Sequence, residues 1–185
     1  MWLRDVKEAL GDALDVEWRP FVLEQVNYHG AEEWYAWDQP SDKMRGVLAL
    51  RAAEAARSQG HDAFERMHYA LLEARHVHHK TLNQEQTIVE AARQAGLDVE
   101  QLLRDIRDPG VSQRIGASHM GSLDHIGVFG TPTLIFEDGR AAFLRLKPTP
   151  PKSEALRVFN QVKDLVVDRP FIDELKRPTP TIIKQ

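Results

Sequence analysis

GVFGTPTLIFEDGRAAFL, residues 127–144, decides how the rest of the chain is read. It opens as Gly-x-x-Gly-Thr-Pro, runs into the β-formers of TPTLIF (131–136), turns at Glu137-Asp138-Gly139 and returns through RAAFLRL (140–146). Two apolar runs around a turn whose glycine accepts positive φ predict an antiparallel hairpin. The proline at the mouth of the first run needs a reason, because proline brings no N–H donor and is confined to edges, strand starts and bulges.

Upstream of the hairpin the pattern is almost wholly helical from Ser41 to His125. SDKMRGVLALRAAEAARSQG (41–60) has Ser41 or Asp42 as N-cap and Gly60 as terminator. HDAFERMHYALLEARHVHH (61–79) opens on Asp62-x-x-Glu65, a capping-box pattern, and puts Phe64, Met67, Leu71 and Ala74 on one face. NQEQTIVEAARQAG starts from Asn83, and DVEQLLRDIRD from Asp98. Asp108-Pro109 is a good N-cap and first-turn pair for a helix carrying Val111, Ile115, Leu123 and Ile126. At the N-terminus, Trp2, Val6 and Leu10 mark an amphipathic helix closed by Gly11. In LDVEWRPF (14–21) Leu14, Val16 and Trp18 alternate with Asp15, Glu17 and Arg19, which predicts a strand stopped by Pro20. Beyond the hairpin, KPTPPKS breaks the chain, and a last helix carries Leu156, Phe159, Val162 and Val166 inward. A proline-punctuated tail follows and is expected to wrap the surface.

The order helix, strand, helical block, strand, strand, helix is most economically one mixed α/β sheet interrupted by a helical insertion. The divisions expected are 1–40 and 126–168 as two parts of one sheet domain, 41–125 as the insertion and 169–185 as the tail. The 185 residues, 42% hydrophobic and 28% charged, are enough for a real core. Net charge is −4 with pI near 6.1 and the basic residues are spread along the chain, so there is no nucleic-acid or anionic-membrane footprint. No apolar run approaches the roughly 20 residues of a spanning helix. MWLRDVKEALG is charged and amphipathic, unlike a secretory signal, and the expected location is cytoplasmic. There is no cysteine, which excludes disulfides, thiolate nucleophiles, Cys-ligated zinc and dithiol redox chemistry within these residues.

VEWRPFVLEQVN, ALLEARH, AARQAGLD, GVFGTPTLIFEDGRAAFLRL and RPFIDELKRP together resemble the thioredoxin-fold family. The branch is the DsbA-like one, which includes the FrnE-type oxidoreductases and the 2-hydroxychromene-2-carboxylate isomerases. The resemblance spans nearly the whole chain in the family's order. It implies thiol–disulfide exchange as the parent activity, by attack of a cysteine on a substrate disulfide. It also implies that Thr131-Pro132 is the family's cis-proline dipeptide. There the backbone of the preceding residue receives an extended peptide or glutathione by strand addition, so the substrate-binding residues implied are Gly130, Thr131 and Pro132.

The chain departs from the family at the reacting group. In the family a short central strand precedes the first helix, and a Cys-x-x-Cys, or a single Ser or Cys, stands at that helix's N-terminus, where the dipole favours a thiolate. Here MWLRDVKE matches the body of that helix, so strand, loop and first turn are expected before Met1. That leaves a truncated start, the reading preferred, or a natural cysteine-free relative. A sheet lacking its central strand has unpaired buried groups costing about 1–3 kcal/mol each, which marginal stability, dimerisation or another segment moving in would answer.

Three functions follow: a redox enzyme with Cys-x-x-Cys encoded upstream, a glutathione-dependent isomerase with a lone upstream Ser, or a cysteine-free, chaperone-like peptide-binding module. No residue of the chain is assigned as catalytic, and no cofactor is expected apart from glutathione. The partners expected are an extended peptide or a small thiol or disulfide, and a second copy of the chain.

His76, His78 and His79 cluster at a helix end, with His76 and His79 on one face and His119 and His125 as remote partners. A helix C-terminus favours cations in any case, and no His-Glu-x-x-His or facial triad occurs, so the cluster reads as surface and no metal is assigned. Ser112, Ser118, Ser122, His119, Asp124 and His125 lie close in sequence but in no nucleophile elbow. Trp34 and Trp37 fit either a groove near the site or packing against the helical block.

Overall fold

A computed structural model describes residues 2–177. Residues 178–185 of the tail lie outside the described residues, and within 169–177 every side chain is exposed. No helix among the described residues is long and apolar enough to cross a membrane.

Helix α1 (Trp2–Leu10) buries Trp2 and Val6 and ends at Gly11, whose φ of 55° is the left-handed conformation that glycine takes without a Cβ penalty. A 3-10 turn leads into Leu14–Val22. The short α2 (Leu23–Val26) and two further 3-10 turns bring the chain to α3 (Val47–Ala56), α4 (His61–His76), α5 (Glu85–Gln94), α6 (Val99–Asp105) and α7 (Pro109–Ile126). Strands β1 (Thr133–Ile135) and β2 (Ala141–Phe143) form the antiparallel hairpin, turning at Gly139 with φ 83°. Helix α8 (Ala155–Val167) closes the fold.

Two caps form as the sequence requires. The Asp98 carboxylate accepts from Gln101 N at α6, and that of Asp108 accepts from Gly110 N at α7, with Pro109 in the first turn. The other expected helix starts shift. The 41–60 segment does not begin from Ser41 or Asp42: Ser41–Lys43 is a 3-10 turn, and α3 starts after Gly46. Helix α5 is capped at Gln84 rather than at Asn83, and α4 at Gly60 with no side-chain cap. The expected capping box at Asp62 does not form because the N-cap falls at Gly60 and Asp62 lies inside the helix; both oxygens of Glu65 accept instead from Lys7 Nζ at 2.8 Å, tying α1 to α4.

The expected strand at Leu14–Phe21 is extended but is not a strand. Its alternation survives, since Leu14, Val16 and Trp18 are half-buried while Asp15, Glu17 and Arg19 are exposed. A strand also needs a ladder, and no described strand runs beside this segment; the described sheet is β1–β2 alone.

Side chains gather in two apolar clusters. One fills the helical block around Met67, Ile88, Leu102 and Ile115, where the alanines of α3 (Ala49, Ala52, Ala53, Ala55 and Ala56) let neighbouring helices approach closely. The other joins α1, α8 and one face of the hairpin: Trp2, Val6, Ala155 and Phe159 pack with Leu14, Leu134, Phe136, Leu144 and Leu146. Trp2 Nε1 donates to Ala155 O at 3.0 Å, which satisfies the one polar atom that this tryptophan buries. The hairpin thus has one covered face and one open face.

Candidate functional site

Helix α7 aims the stretch quoted at the outset. Its C-cap Gly127 takes φ 76°, and Gly127 N and Val128 N return to Leu123 O and Ser122 O, so the chain leaves α7 at a fixed angle. Val128 is buried, Phe129 is exposed, and Gly130 is buried beneath the Phe143 ring. A Cβ on Gly130 would stand 3.3 Å from that ring, so this position favours glycine. The Thr131–Pro132 peptide bond is cis, as is Lys147–Pro148, and Thr131 and Pro132 are both exposed. Thr133 Oγ1 donates to Gly130 O at 2.7 Å and holds the bend from inside.

The hydrogen-bond parity of the hairpin fixes which backbone groups are free. Leu144 N donates to Pro132 O at 3.0 Å and Phe136 N to Arg140 O at 2.8 Å. Pro132·Leu144, Leu134·Ala142 and Phe136·Arg140 are therefore the bonded pairs, and Thr133 and Ile135 oppose Phe143 and Ala141 without bonds. Residues in such unbonded pairs direct their N–H and C=O away from the partner strand. Thr133 and Ile135 thus present their main chain to the outer edge of β1, which begins at the exposed Thr131-Pro132 and has no described strand beside it.

The extended segment 14–22 is held onto the helical block by contacts that are mostly invisible in sequence. Trp18 lies over His68 of α4 with ring centroids 4.2 Å apart, and Arg57 Nη2 donates to Trp18 O at 2.9 Å. Ser118 Oγ donates to Pro20 O at 3.0 Å, and Val22 N to Nδ1 of the fully buried His119 at 3.2 Å. Because Nδ1 accepts, the His119 proton sits on Nε2, which is buried without a partner among the described residues. Burial keeps its pKa below the ordinary histidine value. His68 is in the same condition: burial, helped by the Arg57 charge, pushes its pKa down to about 4, and its Nε2 also lacks a partner.

These contacts dispose of the serine–histidine cluster. Ser118 and Ser122 donate to backbone carbonyls and His119 accepts from a backbone N–H, so none of the three faces another as nucleophile and base. Trp37 is buried against His119 and over Gly116, where a Cβ would meet its indole nitrogen at 2.7 Å; Trp34 stacks on Tyr28 at 4.4 Å. Both tryptophans therefore pack. His76, His78 and His79 are exposed around the end of α4, with His79 at φ 53°. Among the described residues no three His, Asp or Glu side chains converge on a metal-sized site.

Two open clefts accompany the hairpin. One of about 680 Å³ lies between α1 and α4, lined by Arg4, Lys7, Asp12, Asp15, Glu65 and Tyr69 among others. One of about 260 Å³ lies along Glu17–Pro20 against Arg57 and Arg114. Gly130, Thr131 and Pro132 line neither of these clefts; Thr131 and Pro132 stand exposed where the β1 edge begins. Such an edge suits main-chain recognition and has no side chain able to form or break a covalent bond to a disulfide. None of the curated proteins compared matches the chain. The family model for the DSBA-like thioredoxin domain matches residues 3–147, a span that runs from α1 through the helical block and the whole hairpin. The chain belongs to that family, and its fold is the thioredoxin-like α/β fold with a helical insertion.

Proposed function

We propose that this chain binds an extended polypeptide by strand addition along the outer edge of β1, starting at Gly130, Thr131 and Pro132. The observation that carries this reading is the unpaired edge itself: the backbone groups of Thr133 and Ile135 point outward, next to an exposed Thr131-Pro132. Main-chain hydrogen bonds would supply affinity with weak sequence preference. Membership in the DSBA-like family supports a relation to thiol–disulfide oxidoreductases. The chain's own residues include no cysteine, so by themselves they supply binding and not the attacking thiolate.

The probe is insulin B chain with its cysteines alkylated, labelled with a fluorophore and followed by anisotropy. Wild type is expected to bind saturably. Ile135→Pro removes one outward N–H at an edge position where proline is tolerated, and should weaken binding about three- to tenfold. Ile135→Thr keeps that N–H and should bind like wild type. Near-UV circular dichroism establishes that the hairpin persists in both variants. No binding by wild type, or equal binding by wild type and Ile135→Pro, overturns the reading. Insulin reduction by the chain alone is expected at the background rate.

A further inference from the structure

Glu54 stands among the alanines of α3 and is the one acidic side chain buried among the described residues. A carboxylate so placed has to be neutralised where it sits. Here it is overmatched. Arg57 Nε donates to one of its oxygens at 2.8 Å, and Arg114 Nε, from α7, donates to the other at 3.0 Å. One negative charge thus holds two positive ones side by side. Arg57 is fixed further by Nη2, which donates to Trp18 O at 2.9 Å, and by lying over the Phe64 ring at 3.7 Å. Both guanidiniums keep one edge in the protein and stay about half exposed at the other.

The two arginines line the smaller of the two clefts together with Glu17, Trp18, Arg19 and Ser118. Arg19 gives Nε and Nη2 to Glu17, so that pair adds no net charge, and Ser118 Oγ is committed to Pro20 O. The lining therefore carries three guanidiniums against two carboxylates, one positive charge in excess. Asp108, close to Arg114 at the start of α7, caps Gly110 N and forms no ion pair with it. Among the described residues, Nη1 of Arg57 and both Nη groups of Arg114 have no hydrogen-bond partner.

We propose that this cleft binds a small organic carboxylate, with its oxygens on the free Nη groups of Arg57 and Arg114 and its apolar body against Trp18. A planar guanidinium offers paired N–H groups in the geometry that a carboxylate accepts. A single charge in excess matches a monoanion, whereas a polyanion would meet Glu17 and a chain of net charge −4. The volume of about 260 Å³ has room for a body of one ring and little more. Glu54 acts as a positioning residue, because it sets the spacing of the two guanidiniums before any ligand arrives. The inference does not rest on the peptide reading, since Gly130, Thr131 and Pro132 do not line this cleft.

The probe is sodium benzoate, titrated against sodium chloride at constant ionic strength. Nitrogen–proton correlation spectra that resolve the arginine Nε–H groups are the readout, with Arg57→Lys and Arg114→Lys assigning the two resonances. Saturable shifts of both are expected, with a Kd of about 1–10 mM, and none with benzamide, which has nearly the same shape and no charge. Arg114→Gln should weaken binding at least about fivefold, and Arg114→Lys, which keeps the charge but loses the fork, about two- to threefold. Arg93→Gln, exposed on α5, should bind like wild type. Melting without ligand shows which variants fold, and the lysine variant carries the test if the glutamine variant does not. Shifts that never saturate, an equal response to benzamide, or unchanged binding by the Arg114 variants overturns the proposal. So does inorganic phosphate binding more tightly than benzoate. Benzoate binding without insulin B chain binding refutes the peptide reading alone, and the reverse result refutes this proposal alone.

Discussion

Acid is expected to loosen the extended segment from the helical block, and His68 sets the size of the effect. Its ring lies between Trp18, 4.2 Å away, and Phe64, 5.9 Å away and nearly parallel, with Nε2 buried and unpartnered. Burial is the main cause of its depressed pKa, with the Arg57 charge adding to it, and the folded value is about 4 against an ordinary 6.5. The folded state therefore holds His68 neutral through a range in which the unfolded chain protonates it. The stability this represents is fully present above pH 6.5 and is lost as pH falls from 6.5 towards 4. At about 1.4 kcal/mol for each pH unit across that gap, the loss approaches roughly 3 kcal/mol, a large part of a typical domain's stability.

Urea unfolding at intervals from pH 8 to pH 4 measures this directly when wild type is compared with His68→Phe. Phenylalanine keeps the stacking and removes the titration. The wild-type stability should fall more steeply below pH 6.5, and the gap between the two curves should widen by about 3 kcal/mol by pH 4. His119 has a pKa shifted in the same direction, so His68→Phe should retain part of the acid sensitivity. Parallel curves for the two proteins would show that His68 is not held neutral by its surroundings, and the account of this contact would fail.

Two further outcomes follow from packing and charge. Gly116→Ala in α7 gains about 0.5–1 kcal/mol of helix propensity but places a Cβ 2.7 Å from Trp37 Nε1, so the net should be a loss of about 1–2 kcal/mol in urea unfolding with a changed tryptophan emission. Glu54 is 7% exposed and accepts from Arg57 Nε at 2.8 Å and Arg114 Nε at 3.0 Å, so Glu54→Gln should cost about 1–3 kcal/mol; both arginines reach water, which keeps the figure below that of a wholly buried pair, and a cost near zero would refute the bridging role.

What could be read in the sequence was local. The hairpin, Gly139 in its turn, the caps at Asp98 and Asp108 and the stop at Gly11 each depend on a few adjacent residues, and each stands in the structure. What could not be read depended on partners distant in the chain. The 14–21 alternation announced an extended segment correctly, but pairing is a property of the neighbour, and among the described residues it has none. Glu65 carried a capping-box signature, but α4 starts one residue early, with Gly60 at its N-cap and Asp62 already inside the helix, and Glu65 pairs with Lys7, 58 positions away. His119 sat in a cluster that invited a catalytic reading, yet its role is to accept a backbone N–H 97 positions away. Nothing in a linear pattern distinguishes those two roles. The free edge of β1 belongs to the same class, because only the register shows that Thr133 and Ile135 face outward.

Edge and open face belong to one hairpin. A peptide added along β1 continues the sheet, so its alternate side chains fall on the same side as Ile135 and Phe143, and the others on the side that packs against α1 and α8. The outward set would lie beside Thr133 and Ile135 of β1, with β2 one strand further off. Main-chain recognition at the edge requires no reactive side chain, which is why binding can be intact in a chain whose residues include no thiol. Every polypeptide carries the same backbone, so recognition of this kind is expected to show weak sequence preference.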